Sequence, residues 1–168
     1  EPYGNWDCTD VISVDIYTFK GITAYGEPIK TFARVLSYIH RWQKITGKPV
    51  LIFPQNFAGG FSNIPRLPTP QEMQCMYTLC TLYGTTIFFP FQYISWSRPV
   101  WERLGLLHTQ LSELAATIFS GQDAEIIAAE RMNGAVHYSL RRAGNRFVLI
   151  VANASIHRPA ELRFDVAT

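Results

Sequence analysis

The sequence predicts an α/β protein: three consecutive parallel β/α units over residues 1–120, then an antiparallel sheet over residues 122–168. Three observations predict it. Short apolar runs alternate with stretches of helical periodicity through the front two-thirds of the chain, which is how βα repeats read in sequence. The polar residues that close successive runs, Asp15, Gln55 and Gln92, lie 40 and 37 positions apart, so the unit recurs at a near-constant interval. Past Gly121 the helical period disappears and only short β-type runs remain.

The first run is VISVDIY, residues 11–17. A strand alternates its side chains between two faces, so Ile12, Val14 and Ile16 share one side and Ser13, Asp15 and Tyr17 the other. After Pro28, the residues Phe32, Val35, Leu36, Ile39 and Trp42 fall on one helix face, and Gly47 with Pro49 ends that helix. The second run, Val50 to Pro54, passes directly into polar Gln55 and Asn56. A Gly- and Pro-rich loop from Ala58 to Pro68 follows.

The next helix carries a complete start signal. Thr69 caps free amides, Pro70 fits the first helical position and Glu72 returns a bond to the cap. Met73, Met76, Tyr77 and Cys80 form its apolar stripe, and Gly84 closes it. The third run, Thr86 to Phe91, leads into Gln92, Tyr93 and Trp96. Pro99 then opens the longest helix, which turns Val100, Leu104, Leu107, Leu111, Leu114 and Ile118 inward and stops at Gly121. In the tail, Ile126–Ala129, Val136–Leu140, Phe147–Val151 and Leu162–Val166 read as strands, with a hairpin turn at Ala143, Gly144 and Asn145. The alternation in VHYSLRR predicts one covered and one wet face, as in half of a β-sandwich.

Composition narrows the function classes. Of 168 residues 48% are apolar and 17% charged, which supports a buried core and excludes a disordered or collagenous chain. Fifteen basic and 13 acidic residues leave a charge of +2, and the basic ones are scattered, so nucleic acid is not an expected partner. No apolar run reaches the roughly 18 residues of a membrane span. Cys75 and Cys80 sit five apart on one helix, where their side chains diverge, and all three cysteines read as core thiols. No His-x-x-x-His or Cys-x-x-Cys spacing is present, so neither a metal nor another cofactor is expected. The chain begins at Glu1 without a methionine or a signal segment and reads as part of something longer.

The combination KPVLIFPQNF, then RLPTPQEMQCMYTLCTLYGTTIFFPFQY, a long helix and a strand-rich tail resembles the C-terminal end of glycoside-hydrolase-like (β/α)8 barrels followed by a β-sandwich domain. The resemblance spans nearly the whole chain. It implies that DVISVDIY is the sixth barrel strand, PVLIFPQ the seventh and TTIFFPF the eighth. Residues 1–120 would then be the last three units of a barrel, and residues 122–168 a sandwich domain in whole or part. A barrel takes roughly 250 residues, so its N-terminal half would come from the same precursor or from another chain.

The same resemblance places chemistry at the C-terminal ends of the strands, which selects Asp15, Tyr17, Gln55, Asn56, Gln92, Tyr93 and Trp96. Members of this clan with a glutamate nucleophile carry it at the end of the seventh strand, where this chain has Gln55. Other barrel glycosidases put one carboxylate after the fourth strand and one after the sixth. On that pattern Asp15 is the candidate general acid, and its partner lies in the N-terminal half. The alternative for Asp15 is a rim residue that bonds neighbouring loops or sugar hydroxyls. Amides exchange no proton at neutral pH, so Gln55 and Asn56 read as hydroxyl binders. Tyr93 and Trp96, and with them Tyr17 and Gln92, would contact carbohydrate, or would cover the barrel top. Two functions follow: a glycoside hydrolase acting on a poly- or oligosaccharide, or a catalytically inactive barrel serving as a carbohydrate-binding or assembly module. Asn153-Ala154-Ser155 is an N-x-S sequon, which with the resemblance points to an extracellular or secretory location, while unpaired cysteines point the other way.

Overall fold

The computed structural model describes residues 9–21, 27–59, 64–91, 97–120, 122–123, 126–132, 136–155, 159 and 161–166. Its elements are β1 (Ile12–Ile16), α1 (Pro28–Thr46), β2 (Val50–Pro54), α2 (Pro70–Leu82), β3 (Ile87–Phe88), α3 (Arg98–Ser120), β4 (Gln122–Asp123), β5 (Ile126–Met132), β6 (Val136–Ala143), β7 (Arg146–Asn153) and β8 (Glu161–Val166). The α/β class and the succession of parallel units agree with the sequence reading. The first sheet runs β1-β2-β3, with β1 parallel to β2 from Ile12↔Val50 to Ile16↔Pro54 and β2 parallel to β3 through Leu51↔Ile87. β3 is regular over only two residues, yet its pairing continues. The amides of Thr86, Phe89 and Phe91 donate to the carbonyls of Val50 (3.1 Å), Ile52 (3.1 Å) and Pro54 (2.9 Å). Pro90, with no amide hydrogen, falls between the Phe89 and Phe91 donors, where the ladder to β2 requires none.

Strand order decides where the helices go. Both crossovers step in the same direction, so right-handed connections put α1 and α2 on one side of the sheet. Burial agrees: Ile12, Ile16, Val50 and Ile52 join Phe32, Leu36, Met73, Met76, Leu79 and Leu104 in one cluster. On the opposite face Ser13, Asp15 and Ile87 are exposed, and Leu51 and Phe53 are half-buried. No barrel closes within the described residues, whose parallel sheet has three strands.

The helix boundaries follow local chemistry. α1 starts at Pro28 and ends where the Gly47 amide donates to the Gln43 carbonyl at 2.8 Å. α2 has the expected capping box: the Glu72 amide donates to Thr69 Oγ1 (3.2 Å) and the Thr69 amide to Glu72 Oε2 (2.8 Å). It closes at Gly84, whose φ of +71° lets the Thr85 amide reach back to the Cys80 carbonyl at 3.0 Å. Two residues expected inward are not. Trp42 is 40% exposed because the side of α1 that meets α2 carries His40 and Gln43 instead, with Gln43 Nε2 donating to the Gly84 carbonyl. Leu114 is 41% exposed and borders a groove of about 200 Å³ beside Val148 and Leu149.

The tail, expected as one antiparallel sheet, forms two ladders: β4-β6-β7 and β5-β8. The hairpin falls where it was expected. Ala143 pairs with Arg146 across the two-residue turn Gly144-Asn145, and β6 and β7 run farther toward that turn than the expected runs. The hairpin lies on α2 and α3: Ile150 packs with Leu82 and Ile118, and the Tyr83 hydroxyl meets His137 Nδ1 at 2.8 Å. Ala152 and Ala154 belong to the main core. By register Val136 and Leu140 share a side with Leu149 and Val151; on it the two β6 residues are buried while Phe147, Leu149 and Val151 of β7 are exposed, so the side turned away from α2 and α3 is apolar where a wet face was expected. Cys75 and Cys80 are free thiols, and Cys8 lies outside the described residues.

Candidate functional site at the strand ends

The parallel register brings the exits of β1, β2 and β3 side by side. Tyr17 follows β1, Phe57 lies three residues past β2, and Phe91 bridges to Gln55. Their rings form a triad. Tyr17 meets Phe57 edge to face at 5.3 Å between centroids, Phe57 meets Phe91 at 5.4 Å, and Tyr17 and Phe91 are tilted at 6.1 Å. Phe57 is buried beneath, while Tyr17 is half-buried and Phe91 exposed. Asp15 stands exposed beside them. Its hydrogen bond to the Tyr17 phenol, with partial burial and the carboxylate charge, pushes that phenol above its usual range.

Gln55 is fully enclosed. Its Oε1 accepts from the Phe19 amide (2.9 Å), while Nε2 donates to the carbonyls of Phe57 (2.8 Å) and Arg66 (3.4 Å). Asn56 is also buried, and its amide donates to the Phe91 carbonyl, which ties the β2 exit to the β3 exit. Of the residues singled out from sequence, Asp15, Tyr17, Gln55 and Asn56 are therefore gathered here. Gln92, Tyr93 and Trp96 lie outside the described residues.

Behind this rim stands an ion pair that the sequence reading did not find. Arg66 forks onto Glu72, with Nη1 to Oε2 at 2.8 Å and Nη2 to Oε1 at 2.7 Å, and its guanidinium lies 4.2 Å above the Phe19 ring. Burial raises the Glu72 carboxyl, but the bonds from Arg66, the Thr69 amide and the Arg66 charge outweigh it and hold the group below the ordinary glutamate value. Cys75 lines a cavity of about 310 Å³ with Thr69, Glu72 and Ser155, on the helix side of the sheet. Burial and the Glu72 charge push its thiol up to about 11, which leaves it protonated and a poor nucleophile at neutral pH.

Phe57 and Phe91 were legible in principle, since Phe57 follows Gln55 at the same two-residue offset by which Tyr17 follows Asp15. What joins them is register, and register is not written in any one segment. Among the described residues no group of three or more His, Cys, Asp or Glu is gathered as a metal site, and no helix is long and apolar enough to cross a membrane. No protein-family model, no curated protein and no solved structure matches the chain.

Proposed function

We propose that the chain is the C-terminal part of a carbohydrate-active (β/α)8 barrel and that the strand-end rim is its saccharide site. One observation carries this reading: the Tyr17–Phe57–Phe91 triad with Asp15 beside it, at the C-terminal ends of three adjacent parallel strands. Sugar rings present apolar C–H faces that pack on aromatic surfaces, and a carboxyl next to such a platform can bind hydroxyls or protonate a glycosidic oxygen. The barrel reading has separate support in the helices lying on one face of the sheet, since parallel sheets are covered on both faces in complete folds. Asp15 acts as the general acid, and the second carboxylate belongs to the N-terminal half.

A second reading, a barrel that binds glycan without hydrolysing it, has its own observation. The β2 exit carries Gln55, an amide spent on backbone groups, where related enzymes with a glutamate nucleophile would carry a carboxylate.

The test uses full-length protein. With Asp15 as acid, Asp15→Asn lowers turnover by roughly 10² to 10⁴ while saccharide binding survives. If wild type binds a soluble hexasaccharide and never hydrolyses it, the inactive reading stands. If it does neither across cello-, xylo- and mannohexaose, both sugar readings fall.

A further inference from the structure

We infer that Gln55 is a positioning residue for the aromatic platform: its single buried amide fixes the two chain exits that carry Tyr17 and Phe57. The inference rests on the saccharide-site reading for its purpose, but its geometry stands independently. Oε1 takes the amide of Phe19, two residues beyond Tyr17, and Nε2 gives to the carbonyl of Phe57 itself. One planar group therefore spans the β1 and β2 exits, and the distance across it sets how far apart the two rings stand.

Its surroundings leave it no other work. Gln55 and Phe19 are both completely buried, so no saccharide reaches the amide. Phe19 is held from its other side by the Arg66 guanidinium; Arg66 is locked by the Glu72 fork and by donation from Nη1 to the Leu67 carbonyl, and its own carbonyl accepts from Gln55 Nε2. Next to Phe19, Thr18 Oγ1 donates to Met76 Sδ at 3.3 Å, which fastens the same exit to α2. The amide needs both of its ends. A carboxylate keeps the acceptor for Phe19 but sets a negative oxygen against two carbonyls, and a thioether offers at most a weak acceptor and no donor.

The experiment measures amide exchange and ring-to-ring NOEs in the full-length protein, with cello-, xylo- and mannohexaose as affinity probes. In wild type the Phe19 amide exchanges at least roughly a hundredfold more slowly than an open-loop amide. Gln55→Met frees that amide and weakens the Tyr17–Phe57 NOEs, and affinity for whichever hexaose binds falls by roughly tenfold, the equivalent of one lost hydrogen bond. Asp15→Asn, on the same rim, leaves the Phe19 amide protected. Rapid exchange of Phe19 in wild type overturns the inference, as does a folded Gln55→Met protein with protection and NOEs intact. Should Gln55→Met fail to fold, wild-type exchange still decides. Should no hexaose bind, the saccharide reading fails alone, because exchange and NOEs report on the amide without sugar.

Discussion

Glu72 serves three neighbours at once: the Thr69 amide, the two arms of Arg66 and, through the capping box, the first turn of α2. The first and last were legible in sequence because a capping box is local. Arg66 was not, since nothing in a loop sequence says which way a guanidinium turns. The consequence is a pH dependence of known sign. The folded-state carboxyl sits below its ordinary value of 4.5, so its stabilisation is complete above that pH and drains away as pH falls through the folded value. In a series of urea midpoints against pH, wild type should lose stability on acidification below about 4.5. Glu72→Gln should be less stable at pH 7 and flatter on the acid side. Parallel acid limbs for the two proteins would assign the dependence to another group. Gln55 marks the other limit of legibility: its place at a strand end was plain, but two of its three backbone partners, on Phe19 and Arg66, come from segments that meet it only in the fold.

The elements themselves were legible wherever their signals are short-range. Pro28, Thr69-Pro70, Gly84 and Gly144-Asn145 each bound an element at or within a residue or two of where stereochemistry puts it. The exposed flanks were harder, because periodicity finds an apolar face without saying what covers it: Trp42 and Leu114 continue their stripes onto exposed flanks of their helices. The pairing of β5 with β8 was also hidden, since the two strands are distant in sequence and only cross-strand contact chooses between partners. The capping box offers a quantitative check on one element. Thr69→Ala removes the acceptor of the Glu72 amide at the start of α2 and should cost about 1 kcal/mol in chemical denaturation of the full-length protein. Thr69→Ser, which keeps the oxygen, should restore most of it. Equal midpoints for all three proteins would mean that the Arg66–Glu72 pair alone holds this end of the helix.

At the scale of the molecule, three apolar surfaces lie along the boundaries of one slab. The sheet face opposite the helices has Leu51 and Phe53 half-covered and Ile87 exposed, beside Ser13 and Asp15 of β1. Beside β1, α1 exposes Tyr38, Trp42 and Ile45, on turns of the helix that point away from the side meeting α2. Beside β3, Phe89, Pro90, Trp101, Leu104, Gly105 and His108 surround an apolar cavity of about 290 Å³. β1 and β3 are also the edges of their sheet. An open doubly wound sheet would carry helices on both faces, and a finished barrel would have no edges; in the proposed barrel, neighbouring β/α units would cover these surfaces. Isolated parallel strands with such edges tend to associate. The 168 residues expressed alone should therefore self-associate, or unfold without a cooperative transition, whereas a longer protein supplying the neighbouring units should be monodisperse and melt sharply. Light scattering behind a sizing column, a thermal scan and an amide correlation spectrum of the isolated piece decide the matter. A monomer with a sharp transition and well-dispersed amides would mean that the slab is complete as it stands, and the barrel reading would go, leaving the rim of Asp15, Tyr17, Phe57 and Phe91 to be explained on a three-stranded sheet.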